Sequence, residues 1–376
     1  MVKHGRTKTK KNSLCILIVD DQLEQAKATA LSFPSSATTI ARTPDEVTEA
    51  DLQCAHLALI DFVLDEWDAD DSRSLAEHPA NGVALAAVLR SHLAPDTRTA
   101  FALHSGKLDG LSGGLSVDCH LHSIARLNNV EWVFSKKNSD NERPLRDQAV
   151  SLAKAMYALP KNWPTKQPKQ IQTTVEELLG LGKSDWAAHA WKQVEECHPP
   201  IHELSPPTYA ITFVRWLLTS ILPYSTFLWD YRHLAARLRV SPASLKKGLE
   251  SDSKLAKKLS PFEYTGILSD FLDRRWWRPG IEHFLWQETK AKPFDVDGLN
   301  SVTKKLSAKL ESTHFLEPVV AFDEKLRATD ELVELSEAVE LYPDGWPSYA
   351  GRPWAPRSVA DHDSQLSSLM APLAAR

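Results

Sequence analysis

Short apolar runs separated by longer amphipathic stretches set the pattern of the N-terminal part of the chain. Residues 15–19, 57–60, 100–103 and 131–134 are such runs, bounded by polar residues, as expected of strands buried on both faces. A weaker run at Ile40 and Ala41 is a candidate fifth strand. Between the runs, residues 22–32 and 82–92 have helical spacing. Strand and helix alternate, which predicts an α/β domain over residues 13–158 with a parallel sheet and right-handed crossovers.

The period changes in the second half. Ser184 suits the N-cap of a helix that runs to Cys197, and Pro207 suits the first turn of an apolar one that ends before Pro223. Helical patterns follow at 227–238, 243–250, 261–275, 281–288, 302–311 and 322–341, with no convincing strand. Residues 174–341 are therefore expected to form a mostly all-α domain. Ten of the twelve Trp residues lie beyond residue 158, and they suit large packing anchors for such a domain. Residues 159–173 hold Pro160, Pro164 and Pro168 among Lys and Gln and are the expected linker. The basic residues 1–12 read as a disordered tail, and the Pro- and Gly-rich residues 342–376 as an irregular one.

Composition narrows the function classes. The net charge of −5 argues against a nucleic-acid binder as a whole. The apolar run 209–222 carries Arg215 and is shorter than the roughly twenty residues of a membrane span, so no membrane association is expected. Cys15, Cys54, Cys119 and Cys197 are scattered without a CxxC pair, which suits reduced thiols in a cytoplasmic protein. His120 and His122 beside Cys119, and the Cys197-His198 pair, match no structural zinc spacing.

The chemistry gathers at the ends of the apolar runs. Asp20 and Asp21 follow the first run and Asp61 the second, at the carboxyl edge where open α/β sheets bind ligands. Three converging carboxylates repel one another unless a cation sits among them, and hard oxygen ligands suit Mg²⁺. Ser105 follows the third run and Lys136 the fourth. A hydroxyl and an ammonium beside a nucleophilic carboxylate are suited to phosphoryl transfer.

Together, Ile16-Leu17-Ile18-Val19-Asp20-Asp21, Leu59-Ile60-Asp61, His104-Ser105-Gly106 and Phe134-Ser135-Lys136 resemble the receiver domain of two-component response regulators, and Gly82, Leu85, Leu89 and Arg90 resemble its third helix. The resemblance covers the N-terminal half only. It implies a flavodoxin-like fold of five parallel strands in the order 2-1-3-4-5. It also implies that Asp61 takes a phosphoryl group from a histidine kinase or phosphotransfer protein, and that Asp20, Asp21 and Asp61 hold Mg²⁺. Ser105 and Lys136 would contact the phosphoryl oxygens, with Ser105 and Phe134 acting as a switch. The implied protein is a phosphorelay regulator, or a phosphate sink, that changes contacts with a downstream protein or a second copy in a homodimer; its only enzymatic chemistry is its own phosphorylation and dephosphorylation. A degenerate receiver kept as an interaction module is the alternative.

Three departures from the family pattern stand out. Lys137 occupies the position after Lys136 where the family has Pro. The loop after Asp61 is long and acidic (Asp65, Glu66, Asp68, Asp70, Asp71), and residues 107–129 are also extended.

Residues 225–260 carry a local net charge of +5. Within them, 234–250 resembles a helix-turn-helix, with Ser244, Lys246 and Lys247 as candidate DNA contacts. Arg239 stands where such turns favour Gly. The Arg274-Arg275-Trp276-Trp277-Arg278 cluster suits either stacking on a nucleotide or internal Arg-Trp packing.

Overall fold

The computed structural model describes residues 14–65, 67, 79–93, 97–112, 120–137, 143–161, 163, 167–200 and 210–370. Residues 1–12, Glu66, Asp68, Asp70, Asp71, Cys119, Pro164 and Pro207 lie outside these. The chain divides into two compact units, one of residues 1–165 with 202–215 and the other of 166–201 with 216–376.

In the first unit the elements follow as β1 (Leu14–Val19), α1 (Leu23–Leu31), β2 (Ala37–Arg42), α2 (Glu49–Cys54), β3 (Leu57–Asp61), α3 (Gly82–Ser91), β4 (Ala100–Ser105), α4 (Leu121–Leu127), β5 (Trp132–Ser135) and α5 (Leu145–Ala158). The five strands are all parallel, in the order β2-β1-β3-β4-β5. This is the flavodoxin-like arrangement expected from the sequence. Leu17, Val19, Ala58, Ile60, Phe101, Leu103 and Val133 cover one face of the sheet and pack with Leu52, Leu85, Leu89, Ile124 and Ala125 from α2, α3 and α4. Parallel strands buried on both faces explain why each run is continuously apolar. Asn81 starts α3 by accepting the Val83 and Ala84 N–H groups at 3.0 and 3.1 Å.

The second unit is mainly helical. Its elements are α6 (Pro168–Leu178), α7 (Ala187–Glu196), β6 (Leu228–Trp229), α9 (Tyr231–Leu238), α10 (Pro242–Ser251), α11 (Ser253–Leu259), β7 (Trp276–Trp277), α12 (Arg278–Glu288) and α13 (Val296–Leu306), then β8 (Pro318–Phe322), β9 (Ala328–Glu334), β10 (Ala338–Glu340), β11 (Trp354–Pro356), α14 (Arg357–Ala360) and α15 (Ser364–Ser368). Between α7 and β6 in the chain runs α8 (Ala210–Trp216), whose residues through Arg215 belong to the first unit, continued by a π-helical turn over Leu217–Ile221 in the second. Pro168, counted within the expected linker, is the first helical residue of α6, where a missing N–H costs nothing.

Two expected helices are not helical. Residues 322–341 form strands because Asp323 closes a turn. Its Oδ1 accepts the N–H groups of Lys325 and Arg327 at 3.0 and 2.8 Å, and the chain returns as β9, pairing Val319 with Val333 and Val320 with Leu332. The resulting sheet runs β10-β11-β8-β9, so the stretch expected to be an irregular tail contributes β11 and two short helices. Residues 261–275 are mostly irregular because they close over the end of α6. A Cβ on Gly266 would lie 2.5 Å from the Leu179 carbonyl, and the Ile267 N–H donates to Leu178 O at 2.8 Å. Trp276 and Trp277 are almost fully buried in β7, so these two rings are internal packing, with the exposed Arg274 stacked 5.5 Å from the Trp276 ring.

Candidate functional site

The strand ends that carry the acidic and basic residues converge at the carboxyl edge of the parallel sheet. β1 lies beside β3, bringing Asp20 and Asp21 next to Asp61, and one carboxylate oxygen from each falls within 4.8 Å of the others. Asp20 and Asp61 are buried and Asp21 is half-buried. β4 runs beside β3 with Asp61 opposite His104, and β5 runs beside β4 with Ser105 opposite Ser135. Lys136 then leaves β5 directly over the cluster, its N–H donating to Ser105 O at 2.8 Å and its Nζ standing 2.7 Å from Asp61 Oδ1. No Pro follows Lys136, yet the ammonium reaches the carboxylate.

Burial is the main cause of the electrostatics here. It pushes the Asp20 carboxyl up to about 6; Asp61 and Asp21 add to this, while the Gln22 N–H, 3.0 Å from Asp20 Oδ1, and Lys136 act against it. Asp61 is also raised, burial and Asp21 outweighing the pull of Lys136. Asp61 Oδ1 is enclosed, and the Lys136 ammonium is its partner. Three carboxylates with an oxygen from each within 4.8 Å of the others, and one ammonium beside them, are a donor set that fits a small hard cation. This acidic trio is the group of metal-ligating side chains found among the described residues.

Ser105 is fully buried, and its hydroxyl oxygen accepts the Lys107 N–H at 2.9 Å, which leaves its own proton available to donate. Phe134 is also fully buried. Strand alternation turns it away from Val133, and Val133 is the residue that joins the core cluster containing Ile124 and Ala125 of α4. The side of β5 that packs in this cluster with α4 therefore carries Val133, and Phe134 faces the other side of the sheet.

Two residues that the sequence marked only as part of motifs contribute to the site. His104, opposite Asp61 in the sheet, is pushed down to about 4 by burial, with Lys136 adding, so it is neutral near pH 7. Its signal was its place immediately before Ser105. Gly82 begins α3 against the back of the site: its N–H donates to Phe62 O at 2.9 Å, and a Cβ there would lie 2.1 Å from the Asp61 carbonyl oxygen. Gly82→Ala is thus expected to cost about 1–3 kcal/mol through forced displacement. Gly106→Ala, whose Cβ would meet nothing nearer than 3.9 Å, should stay within about 0.5 kcal/mol. Urea unfolding of the two variants side by side checks the contrast.

In the second unit, α9 and α10 are consecutive helices joined through Arg239, which takes the left-handed conformation at φ 57°. Lys246 and Lys247 are exposed on α10. Ser244 is half-buried and already engaged, donating to Ser241 O at 2.9 Å and accepting the Glu311 N–H at 3.2 Å.

The comparisons leave the reading to the residues. No family model, curated protein or solved structure matches the chain. No helix among the described residues is long and apolar enough to cross a membrane.

Proposed function

We propose that the N-terminal unit is a phosphoacceptor receiver of the response-regulator type, acting in the cytoplasm, and that Asp61 accepts a phosphoryl group from a phosphohistidine on a histidine kinase or phosphotransfer partner. The observation that carries this reading is the Asp20, Asp21 and Asp61 trio within 4.8 Å, with Lys136 Nζ at 2.7 Å from Asp61. In the transfer, an Asp61 oxygen forms a bond to phosphorus as the phosphorus–nitrogen bond of the donor breaks, and the imidazole keeps the electron pair of the broken bond and takes up a proton. Asp20, Asp21 and Asp61 would hold Mg²⁺, which supplies charge neutralisation for the phosphoryl oxygens. Lys136 pairs with those oxygens, and the Ser105 hydroxyl donates to one of them. The product, an acyl phosphate, changes the charge at the strand ends and through it the protein contacts of the chain.

Intact mass after incubation with phosphoramidate tests this. One phosphoryl adduct is expected with Mg²⁺ and none with excess chelator. No adduct in either condition would overturn the reading and favour a receiver kept only as an interaction module.

A second reading, duplex DNA binding, is favoured by the α9–α10 geometry with Lys246 and Lys247 exposed. It predicts binding that falls steeply with salt, with a log–log slope reduced by about one for each of Lys246→Ala and Lys247→Ala. Fluorescence anisotropy that shows no binding, or salt-insensitive binding, would end it. Because its hydroxyl is already engaged, Ser244→Ala should change affinity little.

A further inference from the structure

The second unit carries a half-open cavity of about 530 Å³ with no part in the phosphoacceptor reading. The volume is in the range of small-molecule sites. Its walls include Trp229, Phe294, Phe322 and Trp354. Four arginines also line it, Arg237, Arg239, Arg278 and Arg352, against a single acid, Glu317. Arg278 is bonded to Glu282 at 3.0 Å and Arg352 to Glu340 at 3.4 Å. Arg237 and Arg239 instead donate to main-chain carbonyls, Pro293 O and Phe315 O, both at 3.0 Å. Two of the guanidinium groups lie over wall aromatics, Arg237 at 4.7 Å from the Phe294 ring and Arg278 at 5.6 Å from that of Trp229.

Arg239 decides the argument. It is 6% exposed, and its Nη1 is enclosed and meets no hydrogen-bond acceptor. A buried charged donor without an acceptor is unfavourable. The same residue holds a left-handed backbone, φ 57°, at the end of α9, where Gly would be unstrained. Two separate costs fall on one residue in the wall of a cavity whose lining sets four guanidinium groups against one carboxylate. The guanidinium fork matches carboxylate and phosphate oxygens, and the aromatic walls match a flat apolar body.

We propose that this cavity binds a small organic anion made of a planar ring and a carboxylate or phosphate head. Isothermal titration of the full chain tests it with four probes: indole-3-acetate and adenosine 5′-monophosphate, each beside its neutral counterpart, indole-3-acetamide or adenosine. One of the two anions should bind, which identifies the head group, and its neutral counterpart should bind at least about tenfold more weakly. Arg239→Gly, which suits the left-handed position, should weaken the anion about tenfold while the chain keeps its thermal transition. Arg352→Gln should weaken it similarly and decides the matter if Arg239→Gly does not fold. Absence of binding by both anions, equal binding of a neutral counterpart, or native affinity in the folded variants would overturn the proposal.

Discussion

Asp61→Asn is expected to abolish the phosphoryl adduct completely and, in the presence of chelator at pH 7, to make the N-terminal unit more stable. The amide keeps the shape of the side chain but is no nucleophile, so loss of the adduct follows from the chemistry. The gain in stability follows from the raised carboxyl groups. Asp20 moves from an ordinary 3.8 to about 6 in the folded chain, and Asp61 moves in the same direction. The folded state therefore binds these protons more tightly than the unfolded state does. The ionised form of Asp20 destabilises the fold fully above about pH 6, progressively less between 6 and 4, and not at all below the unfolded value, and that of Asp61 acts in the same direction. For Asp20 this amounts to something on the order of 3 kcal/mol at neutral pH. Asn at position 61 removes the charge of Asp61 and part of the cause of the Asp20 shift. The lost ion pair weighs little against this, since Lys136 is a third exposed and regains water. A gain of about 1–3 kcal/mol at pH 7 is expected, shrinking toward zero below pH 4. Mg²⁺ should stabilise the native chain by mass action and the variant much less. A variant that is less stable at pH 7, or a gain that grows on acidification, would show that the trio is not held under mutual repulsion.

The first unit was legible because its chemistry sits where its apolar runs stop. A strand buried on both faces is marked by an unbroken run, and the residue that ends the run is the residue at the sheet edge, so Asp20, Asp61, Ser105 and Lys136 could be placed together without coordinates. β2 gave only Ile40 and Ala41 because it pairs with β1 alone, and its residues are mostly half-buried. The same unbroken runs hide which face a residue points to. Phe134 and Val133 are both apolar and both fully buried, and nothing in the sequence separates them. Gly82 was visible as a helix start, but its need to be glycine depends on the backbone of Asp61, 21 positions away.

The second unit was legible in its helices and less so in its sheet. β6, β7, β10 and β11 span only two or three residues each, too short for alternation to show. β9 buries only Leu332 and Val333, adjacent residues that fit a helical period as well as a strand. The hairpin is set by Asp323, whose side chain ties its own turn. Arg239 is the counter-example: its position in a turn that favours Gly was visible in the sequence, and the structure turns that local misfit into a cavity wall.

Glu131→Gln is expected to destabilise the N-terminal unit by about 3–5 kcal/mol, the largest stability effect of any single change in it. Glu131 is fully buried at the start of β5 and accepts from three directions. Arg90 Nη2 lies 3.1 Å from both of its oxygens, Arg215 Nε lies 2.7 Å from Oε1, and the Phe101 N–H donates to Oε2. Both guanidinium groups also bind Asn129, Arg215 through Oδ1 at 2.8 Å and main-chain O at 3.0 Å, and Arg90 through the same main-chain oxygen. Arg215 was legible only as a charge that spoils an apolar run; its partner lies 84 residues earlier, and no local pattern could reveal it. The carboxylate is what permits two cations to approach one site. Burial already pushes the Arg90 guanidinium below its ordinary value, and Arg215 adds to this while Glu131 opposes it. Gln would still accept the Phe101 N–H through its carbonyl, but it would leave the two guanidinium groups facing each other without a counter-charge. Arg215→Met should cost less, because Arg90 still neutralises Glu131 and the side chain is 30% exposed. Hydrogen exchange at the β4 and β5 amides reads the opening energy of this part of the sheet independently of the second unit. A loss below about 1 kcal/mol in Glu131→Gln, or one no larger than in Arg215→Met, would mean that the carboxylate charge does not hold the two arginines and that packing alone sets the start of β5.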